Sequence, residues 1–200
     1  MKLDIKNMLT TLHEIASDAS EFISLLQTAF IYNTSKPLQD CKARAEEYGR
    51  ESDHLSALLK EAASSDQGVT PYVSVPEHLL RIWKNLDRLS DLIDKKVGDK
   101  VLFSDKVVDE TIYLLQRLIE ILRPTADMIL ARNTYLRKYI QESVASIEIT
   151  AAGYATLHEN RLAAGESISA ASSIYLSMLE AIKSIAWHTK EISVTLSRPK

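Results

Sequence analysis

Apolar residues recur at three- and four-residue spacing along almost the whole chain, which is the period of one helix face. Leu9, Leu12, Ile15, Ala19, Phe22, Leu26 and Ala29 predict a helix over 4–32. Asn33 to Pro37 should end it, because proline can open a helix but has no N–H with which to continue one. Tyr48, Leu55, Leu58, Leu59 and Ala62 predict a second helix over 37–63. The stretch 64–75, with Gly68 and Pro71, reads as the longest loop, and Val73 to Val75 is too short and too closely bracketed by prolines to be a strand. Pro76 opens a third helix over 76–97, with Leu79, Ile82, Trp83, Leu86, Leu89, Ile93 and Val97 in line, and Gly98 stops it. Ser104 is a good N-cap for a fourth helix over 105–131. Pro124 should kink that helix without ending it, since the apolar period resumes at Met128 and Ile129. A break near Asn133, then Gly165, bound a fifth helix over 134–164, and a sixth covers 169–196.

The third and sixth helices overlay at an offset of 96. Leu79, Ile82, Trp83, Leu86, Leu89 and Ser90 fall on Tyr175, Met178, Leu179, Ile182, Ile185 and Ala186, so apolar meets apolar and small meets small. The order long helix, long helix, core helix thus occurs twice. The expected fold is all-α, with six long helices as two tandem three-helix bundles over 1–99 and 100–200. Each helix then buries one stripe, and the two units pack side by side.

Composition narrows the function. At 200 residues the chain can bury a sizeable core without disulfide staples, and Cys41 is the only cysteine. That suits a reducing, cytoplasmic setting. A net charge of −3 does not suit a general nucleic-acid binder, which needs excess Lys and Arg to displace counterions. The N-terminus, with its acidic Asp4, does not read as a signal peptide. No run reaches the roughly 20 apolar residues of a membrane span, so the chain is expected to be peripheral to a membrane at most.

The candidate chemistry is a set of acids. Asp87, Asp91 and Asp94 lie within about 60° of arc on the third helix, beside its apolar stripe. Like charges at i and i+4 repel, and carboxylate oxygens suit hard or borderline cations. Asp87 and Asp91, joined by Asp53 or Glu51 from the second helix, are therefore candidate ligands for a divalent or ferric ion. The alternative is a solvated face neutralised by Lys84, Arg88 and Lys95 through weak exposed pairs. On the sixth helix Lys183, Trp187 and Lys190 take the places of Asp87, Asp91 and Asp94, so the acids are not repeated. Glu51 and His54 form a single Glu-x-x-His, where a di-iron bundle needs two. Glycines are isolated, no HExxH exists, and Cys41 reads as a semi-buried helix residue. His13, His78, His158 and His188 read as surface or core-edge histidines, and Trp83 and Trp187 as packing residues.

Leu86-Asp87-Arg88-Leu89-Ser90-Asp91 resembles the signature of PhoU-like proteins: an acid, Arg, an apolar residue, a small residue and Asp. Two further stretches are similar to the PhoU-like cytosolic domain attached to sodium–phosphate cotransporters. They are Val101-Leu102-Phe103-Ser104 with the acids that follow, and His158-Glu159-Asn160-Arg161-Leu162-Ala163-Ala164-Gly165-Glu166 leading into Tyr175-Leu176 and Ile182. The resemblance implies two three-helix bundles related by a pseudo-twofold. It implies a non-enzymatic accessory protein that restrains phosphate uptake or its signalling through contact with a transporter or a sensor kinase. It also implies iron or zinc at two acidic motifs, of which Asp87 and Asp91 keep the first while Lys183 and Trp187 replace the second. The competing expectations are a metal-dependent enzyme or metal store on a helical bundle, and a helical scaffold with no phosphate link. Broad helix faces lead us to expect a homodimer as well.

Overall fold

The computed structural model describes residues 4–165 and 169–197, apart from the side chains of Cys41, Ser169 and Ala170. Glu166 and the burial expected for Cys41 therefore lie outside the described residues. Among those residues the fold is all-α: α1 (Ile5–Tyr32), α2 (Cys41–Ser65), α3 (Val75–Gly98), α4 (Asp105–Ala131), α5 (Thr134–Ala163) and α6 (Ser169–Leu196), with no strand.

The helix ends follow from local chemistry. The Asp4 carboxylate accepts the N–H of Asn7 at 3.2 Å and starts α1. Asn33, left-handed at φ 50°, ends it, a conformation asparagine tolerates better than most residues. Pro37 does not open α2 as expected. It sits in a separate 3-10 turn, Lys36–Leu38, that buries Leu38, and α2 begins only at Cys41. The long connection after α2 is more ordered than its glycine and proline suggest. Asp66 accepts the N–H of Gly68 at 2.8 Å, and a 3-10 helix from Gln67 to Tyr72 buries Val69 and Tyr72. Ser104 holds the N-cap position of α4 with an extended backbone, but its hydroxyl makes no capping bond. α4 runs on through Pro124 to Arg132, whose φ of 46° separates it from α5. There the Asn133 side chain accepts the N–H of Tyr135 at 2.8 Å. Gly165, at φ 75°, takes the left-handed conformation just past α5 that glycine adopts without strain.

Contacts near the helix ends fix the directions. The Trp83 indole N–H donates to the Ile15 carbonyl at 3.2 Å, and Lys96 reaches the side-chain oxygen of Asn33 at 2.5 Å, so α1 and α3 run parallel. Tyr175 meets Glu110, and Arg132 donates to the Leu196 carbonyl at 2.7 Å, so α4 and α6 do the same. Between the triplets the sense reverses. His78 meets His188 and Asn85 meets Ser184, which makes α3 and α6 antiparallel; His13 near Asp127 and Phe30 against Phe103 do likewise for α1 and α4. α1 packs most extensively on α4, and α3 on α6. Antiparallel pairing of like with like is what a twofold axis across the helices produces.

α1, α3, α4 and α6 form the middle, with α2 lying on α3 and α5 on α6 and α4. Small residues on α1 (Ala16, Ala19, Ser20 and Ala29) are fully buried and let α4 approach closely. Both members of the offset series on α3 and α6 are buried throughout, from Leu79 and Tyr175 to Ser90 and Ala186. Trp83 fills the first triplet, 5.7 Å from Phe22 and 4.6 Å from Tyr48 between ring centres.

Candidate functional site

Asp87 is half-buried on α3 and Asp91 is exposed. Burial pushes the Asp87 carboxyl above its ordinary range, and the neighbouring charges of Asp91 and Glu46 add to this while Lys42 opposes it. Asp87 shares a cleft of about 410 Å³ between α2 and α3 with Glu46, Arg50, Asp53 and Lys84. The structure thus brings Asp53 and Asp87 to one cleft, beside two cationic side chains.

Glu51 is elsewhere. It is two residues from Asp53, a turn of about 200° on a helix. It lines a second cleft, of about 350 Å³, between α1 and α2, with Glu14, Asp18 and Glu47. There the Tyr48 hydroxyl donates to Asp18, and its pKa is raised first by burial and then by that bond. Of the four candidate ligands, Asp53 and Asp87 thus share one cleft, Glu51 lines the other, and Asp91 lines neither of the two. Among the described residues no three His, Cys, Asp or Glu side chains converge so as to hold a metal ion. The iron or zinc that the resemblance implies needs several oxygens aimed at one point. Here Asp53 and Asp87 share their cleft with Arg50 and Lys84 while Glu51 lies in the other, so the set Asp87, Asp91, Asp53 and Glu51 does not fit it.

Two further polar constellations stand out. The first lies on the α3–α6 seam. Nδ1 of His78 and Nδ1 of His188 are 3.1 Å apart, and the Asn85 amide donates to the Ser184 hydroxyl at 3.0 Å. Trp187 is 44 % exposed, not packed in the core, with its ring 4.7 Å from that of His188.

The second is buried between α4, α5 and α6. Arg161 donates two parallel hydrogen bonds of 2.9 Å to the Glu110 carboxylate, and the Tyr175 hydroxyl donates to the same carboxylate at 2.5 Å. Burial first, then this bond, raises the Tyr175 pKa, so the phenol stays protonated. His158 is 2 % exposed, not at the core edge. It bonds the Ser172 hydroxyl through Nε2 at 2.9 Å and sets its ring 4.8 Å from Tyr175. Burial lowers its pKa, helped by the Arg161 charge. A fork-to-fork Arg–carboxylate pair with every oxygen engaged is a rigid clamp between three helices. One signal for it was present in the sequence: Glu110 interrupts the apolar stripe of Val107, Leu114 and Leu118 at helical spacing.

No helix among the described residues is long and apolar enough to cross a membrane. No protein-family model, no characterised protein and no solved structure matches this chain.

Proposed function

We propose that the chain is a non-enzymatic accessory protein of inorganic phosphate transport or phosphate signalling, acting through contacts with a phosphate transporter or its associated sensor kinase. The observation that supports this reading is the like-with-like arrangement of the helices, α1 on α4 and α3 on α6, both antiparallel. Such an arrangement suits the pseudo-twofold pair of three-helix units which the resemblance of Leu86 to Asp91, of Val101 to Ser104 and of His158 to Glu166 implies. The buried Glu110–Arg161–Tyr175 clamp suits a rigid contact-making scaffold, because it fixes three helices without leaving a reactive group exposed. The Asp87 cleft carries charges of both signs along α2 and α3, which a protein partner of complementary charge could match.

The test is direct binding of the purified chain to the purified phosphate transporter, and separately to the sensor kinase, of the cell that makes it. Saturable binding to one of them, with loss when Asp87 and Asp53 are both changed to Lys, is the expected result. Absence of binding to both removes the reading.

A further inference from the structure

Helix α5 is apolar on two sides. Its inner side, with Ile140, Val144, Ile147 and Ala151, is buried against α4 and α6. Its outer side carries Tyr135 at 84 % exposure, Ile149 at 74 %, Leu157 at 53 % and Tyr139 at 43 %. Between Ser143 and His158 the one charged side chain is Glu148. α2, which holds the corresponding outer position in the first triplet, exposes Lys42, Glu46, Glu47, Arg50 and Lys60 instead. An ordinary solvated helix looks like α2. Four large apolar side chains exposed on one side of a helix, as on α5, suit an interaction surface.

The spacing on this face selects a helical partner. Stepping by alternate fours and threes from Tyr135 passes Tyr139, Glu142, Ser146, Ile149, Gly153 and Thr156 and ends at Asn160, and every one of these positions is exposed. That is the 3.5-residue period of a helix seam, running about 38 Å at 1.5 Å per residue. A flanking row at seven-residue spacing, Lys138, Ala145, Ala152 and Glu159, is exposed as well.

We propose that this face pairs with the same face of a second copy of the chain, the two α5 helices running antiparallel about a twofold axis. The seam maps onto itself in that sense: Ser146 of one copy meets Ile149 of the other, and Tyr139 meets Thr156. The flanking row is self-complementary too. Lys138 faces Glu159 of the second copy at both ends, and Ala145 faces Ala152 in the middle, where the two small side chains let the backbones come close. Lys138 already lies 3.8 Å from Glu142 of its own helix, so the second copy's Glu159 adds to an existing charge pair. A parallel arrangement lacks this match, since it sets Lys138 beside Ser143. An interface of this kind is isologous, the commonest form of closed pairing, and it stands independently of any link to phosphate.

Sedimentation equilibrium of the full chain at tens of micromolar tests it. The wild type should be a dimer. Ile149→Arg should be monomeric with an unchanged far-UV spectrum. Lys138→Glu should weaken association about tenfold by setting like charges together at both ends. Adding Glu159→Lys to Lys138→Glu should return it to within about twofold of wild type, since only the antiparallel register makes these two positions partners. A monomeric wild type, a dimer indifferent to Ile149→Arg, or a double charge exchange that fails to restore pairing each overturns the proposal. If Ile149→Arg fails to fold, the charge exchange decides alone.

Discussion

Nδ1 of His78 on α3 lies 3.1 Å from Nδ1 of His188 on α6, a direct contact across the two triplets. One of these nitrogens must donate and the other accept, so the contact holds no more than one extra proton. Burial, the His78 ring and Arg81 push the His188 pKa down to about 4, against Glu77. Burial also lowers the His78 pKa, against Glu191 and Glu77. Both groups bind protons more readily in the unfolded chain, so stability is present above the ordinary histidine range near 6.5 and is lost as pH falls toward 4. We expect roughly 1–3 kcal/mol to be lost over that window after allowance for partial exposure. Denaturant midpoints against pH for the wild type and for His78→Asn with His188→Asn check this. The double variant should show a flatter curve, and identical slopes would contradict it.

Glu110 ties α4 to α5 and α6. Glu110→Ala removes the buried carboxylate that the Arg161 guanidinium and the Tyr175 hydroxyl both bond, and should cost about 3–5 kcal/mol, as breaking a buried pair from one side does. Replacing both partners, with Glu110→Leu and Arg161→Met, should cost clearly less than Glu110→Ala alone. Urea unfolding of the three proteins measures the difference.

Lys96 is a charged residue only 5 % exposed, its pKa lowered by burial. Its ammonium bonds Asn33 and lies 5.2 Å from the Phe30 ring centre and 5.5 Å from that of Phe103. Lys96→Met keeps the packed stem but loses the tie to the end of α1 and the ring contacts. Thermal unfolding should show a loss of about 1–2 kcal/mol.

Asp87 is destabilised as an anion where it stands, because its pKa is raised. Asp87→Asn should therefore leave stability unchanged at neutral pH or raise it by up to about 0.5 kcal/mol. A chelator, or added iron or zinc, should leave the melting temperature where it was, since a ligand that does not bind the native state cannot stabilise it. A metal-dependent rise in melting temperature that Asp87→Asn abolishes would show that the acids do converge on an ion.

The helices were legible because their ends are marked by strong local signals. Pro76, Gly98 and Gly165 stand where α3 and α5 begin or end, and α4 occupies the expected 105–131. The turn at Lys36–Leu38 and the 3-10 helix at Gln67–Tyr72 were missed, because Leu38, Val69 and Tyr72 are drawn inward by tertiary contacts that proline and glycine do not announce. The site was less legible. Spacing puts Asp87 and Asp91 on one arc of α3, but it cannot say that Glu51 turns to α1 while Asp53 turns to α3. The Glu110 clamp joins residues 51 and 65 positions apart, beyond the reach of any local pattern. The pairing face of α5 is hidden for another reason: apolar residues on both sides of a helix blur the single stripe by which helices are read.

Phosphate uptake tests the central claim most directly. Initial rates of labelled phosphate entry should be compared in the cell that makes this chain, with its gene intact, deleted, and restored from a plasmid. The account predicts faster or less restrained uptake on deletion under phosphate-replete conditions, and a return to the original rate on restoration. An uptake rate that stays the same in all three would contradict it.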